Sequence, residues 1–234
     1  MKKFLLIATF AILSANIFSQ KLELGFIGGY QHTNAYAFVG GEINKINFNP
    51  KSGPGFNIGG FMLWSFHKNL GMDLQILYSM RSYKFNMLYQ EQDTAVIFKR
   101  QMFMLELPIH LNYRIKINDE FTIYPTLGAS FGVNIHGKDY AYLDTDSRKP
   151  IDKATKSDDL FSKSNGRINR FEISPEIGVL IKYKNWGFRP MYSVGVTNLT
   201  RSNYGWSFSL PEKQSKYLFN RELKLSILYT FKIR

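Results

Sequence analysis

The sequence predicts an all-β fold, a single up-and-down antiparallel β-barrel of about eight strands, with ten strands as the alternative. Three observations lead to this prediction. Eight segments alternate apolar and polar residues with a period of two, which is typical of strands with two different faces. The segments run for about 11 residues, the length that a tilted membrane strand needs, whereas soluble strands usually have about 5–6. The connections between segments alternate between short and long.

The alternation is clearest in the fourth segment. Leu105, Leu107 and Ile109 share one face there, and Glu106 and His110 share the other. The same pattern places strands near 21–31, 55–66, 70–84, 101–115, 121–133, 171–183, 187–199 and 221–233.

The connections indicate a transmembrane barrel. Short ones are predicted at His67–Asn69, Lys116–Glu120 and Lys184–Trp186, and long ones near 32–54, 85–100, 134–170 and 200–220. Short turns on one side and long loops on the other are the signature of outer-membrane barrels, and with an even strand number both termini lie on the periplasmic, short-turn side.

Two of the long connections differ in composition. The stretch 85–100 keeps apolar residues and is interpreted as a ribbon that continues strands three and four beyond the membrane. The stretch 134–170 is rich in charge and has few apolar anchors, so much of it is expected to be mobile. If ribbon 85–100 forms its own strand pair, the strand number becomes ten.

The N-terminal residues 1–19 are interpreted as a signal peptide, which leaves 20–234 as the barrel domain. Lys2 and Lys3 precede an apolar run from Phe4 to Leu13, followed by small and polar residues, as in export signals. A buried N-terminal helix is the alternative. Since no internal run approaches the ~20 apolar residues of a spanning helix, only a closed barrel could cross a bilayer. The predicted location is therefore the bacterial outer membrane.

Composition excludes several classes of function. The chain has no cysteine, which excludes disulfide scaffolds, thiolate metal sites and a lipidated anchor. Its net charge of +12 would suit nucleic acid, but no nucleic-acid motif accompanies that charge. The expected partners are outer-membrane lipid and lipopolysaccharide, together with envelope or secretion-complex proteins.

Alternation alone does not say which face is outside, because a secreted lipocalin-like barrel has the same period with its apolar face inward. Strand length, loop asymmetry and aromatic residues near strand ends, such as Trp64, Tyr113 and Phe231, favour the membrane arrangement. A polar network is then predicted in a lumen just wide enough for side chains. Its members, inside or at the mouths, are Glu23, Asp73, Arg81, Glu106, His110, Arg114, Glu172, Glu176, Lys182, Arg189 and Lys224.

Three stretches resemble the PorT-like outer-membrane β-barrel family, which is related in architecture to OmpA-type barrels. They are Gly53–Gly60, Leu105–Tyr113 and Ile173–Gly178, together with the closing Leu225–Phe231. The resemblance implies the same fold and location over most of the mature chain. It also implies a role in type IX-like protein secretion. The chain continues past Phe231 to Arg234, a departure from the usual terminal aromatic of such barrels.

The sequence predicts no catalytic residue, cofactor or metal ligand. The histidines are His32, His67, His110 and His136, and His110, one lumen position from Glu106, is interpreted as a hydrogen-bonded lumen residue. The expected function is that of a non-enzymatic barrel that is envelope-structural or binds partners through its external loops. The alternatives are an accessory of protein secretion and a lipid-active enzyme or narrow pore.

Overall fold

A computed structural model describes residues 21–39, 49–89, 94–143, 146–150, 160–161, 168–199 and 216–232. These ranges contain ten strands and no helix long and apolar enough to cross a membrane. The strands are β1 (Lys21–Val39), β2 (Asn49–Ser65), β3 (Leu70–Tyr89), β4 (Thr94–Tyr113), β5 (Ile115–Lys116), β6 (Phe121–Leu143), β7 (Asp146–Pro150), β8 (Phe171–Tyr183), β9 (Trp186–Val194) and β10 (Lys216–Lys232).

Eight of these strands form a closed antiparallel barrel, which confirms the predicted fold and strand number. Each pairs with its neighbour in the order β4, β3, β2, β1, β10, β9, β8, β6, and β6 pairs back to β4. The first and last strands are joined from Glu23–Lys232 to Val39–Lys216. The short strands β5 and β7 only lengthen the pairing along β6.

Most strands run further than the sequence predicts, so the predicted long connections are partly strand. β1 continues to Val39 because that segment pairs with the start of β10. β3 and β4 pair up to Tyr89 and Thr94, which confirms that strands three and four continue through the stretch interpreted as a ribbon. There β4 also pairs with β6. β6 continues to Leu143 opposite β4, so 134–143 also belongs to the barrel wall.

β8 matches its predicted range, and β9 is shorter than predicted, since it ends at Val194 rather than near residue 199. Beyond it the chain leaves the regular ladder. The Val196 amide donates to the Ile173 carbonyl at 2.9 Å, and the Leu199 amide donates to the Leu218 carbonyl at 2.9 Å. The Leu199 side chain is fully buried. This wall of the barrel is therefore lower than the wall formed by β3, β4 and β6.

The apolar face of the strands points outward. Phe26, Leu127 and Ile177 are 67%, 62% and 58% exposed, whereas Asp73 is 0% exposed. This distribution is the reverse of a lipocalin-like barrel, whose apolar face lines the interior. An uncovered apolar belt around a closed barrel is the surface that meets lipid in membrane barrels.

Aromatic side chains cluster on the outer surface at the end with the short turns. Trp64 and Phe66 have ring centroids 5.5 Å apart. Trp186 lies 4.9 Å from Tyr229, which lies 5.1 Å from Phe231. Rings at this level form the interfacial girdle of a membrane barrel.

Two apolar clusters are buried inside the barrel. The first, toward the short-turn end, comprises Ile27, Phe61, Leu63, Leu77, Tyr124, Leu180 and Leu228. The second, at the long-loop end, comprises Ala35, Tyr83, Met102, Leu160, Phe161, Ile168, Leu199 and Leu218. Four members of the second cluster come from segments outside the barrel strands. The stretch expected to have few apolar anchors, 134–170, thus has three in this cluster, Leu160, Phe161 and Ile168. The mobility expected for 151–159 and 162–167 lies outside the described residues.

Candidate functional site

The structure places the predicted polar residues in the lumen or at its mouth. Two of the eleven, Glu23 and Arg114, are half-buried near the short-turn end. The other nine are buried: Asp73, Arg81, Glu106, His110, Glu172, Glu176, Lys182, Arg189 and Lys224. Most of them join one continuous chain of ionic contacts.

One end of this chain is the contact between Asp73 on β3 and Arg189 on β9. The guanidinium donates two hydrogen bonds to the carboxylate, at 2.5 and 3.1 Å. Asp73 also accepts from the side-chain amides of Gln75 at 2.7 Å and Asn112 at 2.8 Å. A buried carboxylate needs this many donors, because an unpaired buried charge is very costly.

His110 on β4 connects Asp73 to the next carboxylate. Its Nδ1 lies 2.9 Å from Asp73 Oδ1, and its Nε2 lies 2.7 Å from Glu176 Oε2. Neutral imidazole carries one N–H, so hydrogen bonds at both nitrogens require a proton on the second ring nitrogen or on a carboxylate. His110 thus links the Asp73 carboxylate to the Glu176 carboxylate.

Lys224 and Arg81 carry the chain across the lumen. Lys224 Nζ donates to Glu176 at 2.9 Å and to Glu106 at 2.6 Å. Arg81 lies 3.5 Å from Glu106 and 2.6 Å from Glu172. Its Nε also lies 2.5 Å from Glu222. The connected groups thus come from β3, β4, β8, β9 and β10, and they join opposite walls of the barrel.

The connected chain is not charge-balanced. It has five acids, Asp73, Glu106, Glu172, Glu176 and Glu222, against three permanent cations, Arg81, Arg189 and Lys224. With His110 protonated, one negative charge remains in excess. The excess is contributed by Glu222, because the other four acids are matched by the three cations and a protonated His110. Ion pairs outside the chain are each neutral and leave this excess unchanged.

Two such pairs lie near the ends of the lumen. Lys182 donates to Glu23 near the short-turn end. At the long-loop end Arg100 makes two hydrogen bonds to Asp139, at 2.6 and 2.7 Å, and a third to the Tyr83 hydroxyl at 3.2 Å.

Sequence reasoning missed Glu222, Arg100 and Asp139. Glu222 was detectable, because it lies two residues before Lys224 on the polar face of the last strand. Arg100 and Asp139 fall in stretches predicted as loops. Their inward direction depends on β4 and β6 continuing as strands beyond the membrane.

The remaining candidates for chemistry lie apart from one another. Ser130 donates to Glu106 at 3.1 Å and pairs across the strands with Pro108 rather than His110. His32 lies 3.1 Å from the Tyr30 hydroxyl, and exposed His136 stacks on Phe103 on the outer surface. Among the described residues, no group of three or more acidic or histidine side chains is arranged to hold a metal ion.

Glycines on the lumen face allow close approach of neighbouring strands. A Cβ at Gly29 would lie 2.3 Å from the Leu225 carbonyl oxygen, and one at Gly128 would lie 2.1 Å from the Ile109 carbonyl oxygen. At Gly28, whose side faces outward, the nearest atom would be 3.7 Å away. Glycine is thus required on the inner face at these positions.

Exposed ion pairs lie on the short turns. Lys116 Nζ is 2.5 Å from Asp119, and Lys184 Nζ is 3.1 Å from Glu120. Hydrogen bonding from Lys116 holds the pKa of Asp119 below its usual value, and hydrogen bonding from Lys184 does the same for the pKa of Glu120. Exposed pairs of this kind contribute little to stability.

Comparison with solved structures finds other outer-membrane barrels. Ail of Yersinia pestis is 14% identical, with 90% of this chain and 99% of that chain covered and a TM-score of 0.44. OprG of Pseudomonas aeruginosa is 10% identical, with 90% and 96% covered and a TM-score of 0.49. The protease OmpT of Escherichia coli is 12% identical, with 91% and 96% covered and a TM-score of 0.32. At this identity such likeness concerns the fold alone, and a search of curated proteins gives no match.

A family model gives a more direct assignment. The model described as an outer membrane protein beta-barrel domain matches residues 18–201, well over half of the chain. That range includes all the barrel strands except β10. The closed eight-stranded barrel and its outward apolar belt are the features this description requires, and the chain belongs to the outer membrane protein beta-barrel domain family.

Proposed function

We propose that this protein is a non-enzymatic, non-conducting barrel that acts through its external surface, either in stabilising the envelope or in binding partners with its long connections. The observation that supports this most strongly is the filled lumen. The buried charges contact one another across the barrel, and apolar side chains are packed at the long-loop end. Because side chains fill the interior, the surfaces that remain for binding other molecules are the outside of the barrel and its long connections.

The width of the barrel supports a closed lumen. An eight-stranded barrel has an interior that side chains can fill. Here Arg81, Arg100 and Arg189 are fully buried in it, and Leu160 and Phe161 are packed over the long-loop end. An ion crossing the lumen would have to separate contacts such as Arg81–Glu172 at 2.6 Å.

Planar-bilayer recording of the refolded full chain tests this proposal. The expected result is a current indistinguishable from that of a blank membrane over a wide voltage range. Reproducible unitary current steps would show that the protein is a narrow pore and would overturn the proposal.

A variant with residues 147–158 replaced by a short Gly-Ser linker keeps Leu160 and Phe161, so it is expected to fold and to show the heat-dependent gel mobility of a barrel. A strain carrying that variant is expected to lose envelope resistance to detergent if the external connections carry the function.

The surroundings of His110 and Ser130 support the absence of catalysis. Both are buried, and their polar atoms contact Asp73, Glu176 and Glu106 rather than each other. A nucleophile and its base must lie within hydrogen-bond reach of each other and of substrate. Mass spectrometry of lipid A from strains with and without the protein is expected to give identical spectra, and a changed lipid A would establish a lipid-active enzyme instead.

A role as an accessory of protein secretion is the second candidate. It is supported by the three stretches that resemble PorT-like barrels, of which Leu105–Tyr113 and Ile173–Gly178 lie in the membrane-spanning parts of β4 and β8. Deletion of the gene is expected to reduce type IX-like secretion and to remove the barrel from a larger outer-membrane complex. A deletion strain with unchanged secreted proteins would eliminate this candidate.

Export and orientation belong to the same proposal. The mature chain is expected to begin at Gln20, with both termini in the periplasm and the long connections outside. N-terminal sequencing of the protein purified from membranes tests the cleavage site. Protease treatment of intact cells tests the orientation, and cleavage at the short turns rather than the long connections would reverse it.

A further inference from the structure

Four lysines form a row on the outer surface of the barrel, beyond its apolar belt at the long-loop end. Lys51 on β2 is the direct cross-strand partner of Lys84 on β3, and Lys84 is the direct partner of Lys99 on β4. Lys138 on β6 lies next to this set, opposite Gln101. Lys51, Lys84 and Lys138 are exposed and Lys99 is partly exposed. We call these four residues the lysine row.

The lysine row places like charges directly opposite one another. Such cross-strand pairs are destabilising unless an anion lies between them. Within the described residues no carboxylate pairs with any of the four ammonium groups. The nearest acid on β6, Asp139, points into the barrel and is bonded to Arg100. At the opposite end of the barrel Lys116 and Lys184 each have a carboxylate partner.

An aromatic ribbon lies between the lysine row and the apolar belt, on the same four strands. It consists of Phe56, Tyr78, Phe103 and His136, with ring centroids 6.4, 6.0 and 6.5 Å apart in succession. Aromatic rings at such a level mark the boundary between hydrocarbon and head groups.

The backbone of the lysine row lies slightly beyond the head-group region, at a distance that lysine side chains can span. Lys84 and Lys99 lie four residues beyond the Met80–Phe103 pair. Four residues correspond to about 13 Å along a strand, or roughly 10 Å along the bilayer normal at the usual tilt of about 40°. Head groups occupy about 5–8 Å on each side of the hydrocarbon. The flexible lysine stems can therefore bring their ammonium groups to the level of lipid phosphates.

We propose that the lysine row binds the phosphate groups of a phosphorylated glycolipid, lipopolysaccharide, in the leaflet at the long-loop end. The row extends over four neighbouring strands, so it matches a head group with phosphates at both ends of a disaccharide. A glycerophospholipid with one phosphate would neutralise one lysine pair only. This inference rests on the orientation proposed above, in which the long-loop end faces outward.

Two matched variants of the full chain test the proposal. K51Q/K84Q/K99Q removes three charges from the lysine row, and K68Q/K116Q/K184Q removes three from the short turns. The chains are folded in zwitterionic detergent and titrated with diphosphoryl lipid A and, separately, with its dephosphorylated form. The row variant is expected to bind diphosphoryl lipid A roughly tenfold or more weakly than wild type, because each basic residue near an anionic surface contributes substantially to binding. The short-turn variant is expected to bind like wild type.

Thermal unfolding provides a second readout. Without lipid A the row variant is expected to unfold at or above the wild-type temperature, because lysine repulsion is removed. With diphosphoryl lipid A the order is expected to reverse. The proposal would be overturned if wild type and the row variant bound diphosphoryl lipid A equally tightly. It would also be overturned if wild type bound dephosphorylated lipid A as tightly as the diphosphoryl form, or bound phosphatidylglycerol micelles more tightly.

Orientation is tested separately in cells. Since the chain has no cysteine, K84C creates a unique thiol for a membrane-impermeant maleimide. Labelling of intact cells is expected, and labelling only after permeabilisation would overturn the proposal. Channel activity in the planar-bilayer experiment would remove the proposed non-conducting function without affecting lipid A binding, so the two failures are distinguishable.

Discussion

Replacement of Arg81 with methionine tests whether the lumen network stabilises the barrel. Arg81 is 1% exposed, and its guanidinium lies within 2.5, 2.6 and 3.5 Å of Glu222, Glu172 and Glu106. Methionine fills much of the same volume but leaves three buried carboxylates facing one another. Breaking a buried ion pair by removing one partner costs about 3–5 kcal/mol. We expect R81M to lower the free energy of unfolding by that amount.

The measurement is urea unfolding of the full chain in lipid vesicles, followed by tryptophan fluorescence and by heat-dependent gel mobility. K68M is the control, since Lys68 is exposed in the short turn that precedes the strand of Arg81, and its effect should stay within about 0.5 kcal/mol. Adding E222Q to R81M removes one of the stranded carboxylates and should restore about 1 kcal/mol or more through coupling. A loss below about 1 kcal/mol in R81M, or a further loss in the double variant, would refute the reasoning.

Three further predictions concern single sites. G29A should reduce the yield of folded barrel because its Cβ would lie 2.3 Å from a backbone carbonyl, whereas G28A should fold normally; equal yields would contradict this. F161A should weaken docking of its segment by about 3–5 kcal/mol, measured as faster proteolysis near residue 161 while the barrel stays folded. K116Q should raise the pKa of Asp119 toward its ordinary value in an NMR titration. Because that pKa is lowered in the folded chain, the stabilisation is present at neutral pH and is lost as pH falls through it.

The strands were predictable because lipid and the polar lumen favour different side chains on the two faces of each strand. Lipid outside and a charged lumen inside impose a strict period of two, and segments such as Leu105–Tyr113 carry it without interruption. The ends of the strands were less predictable. β6 continues to Leu143 because β4 lies beside it, and pairing with a neighbour leaves little signal in the sequence of one strand.

The members of the lumen network could be predicted, but their partners could not. Alternation places Asp73 and Arg189 inside, yet they are 116 residues apart and meet only through the stagger of the closed barrel. The lysine row could not be predicted from the sequence for the same reason. Lys51, Lys84 and Lys99 are separated in the sequence, and only the cross-strand register shows that they are neighbours.

The pairing of β1 with β10 has a consequence for biogenesis. Until Lys216–Lys232 has been synthesised and inserted, the sheet keeps two open edges, each a row of unpaired backbone groups that invites aggregation. The same final strand brings Lys224, the cation that contacts both Glu106 and Glu176. A chain that stops before β10 would therefore lack both the strand that closes the barrel and the cation that links two of its lumen carboxylates.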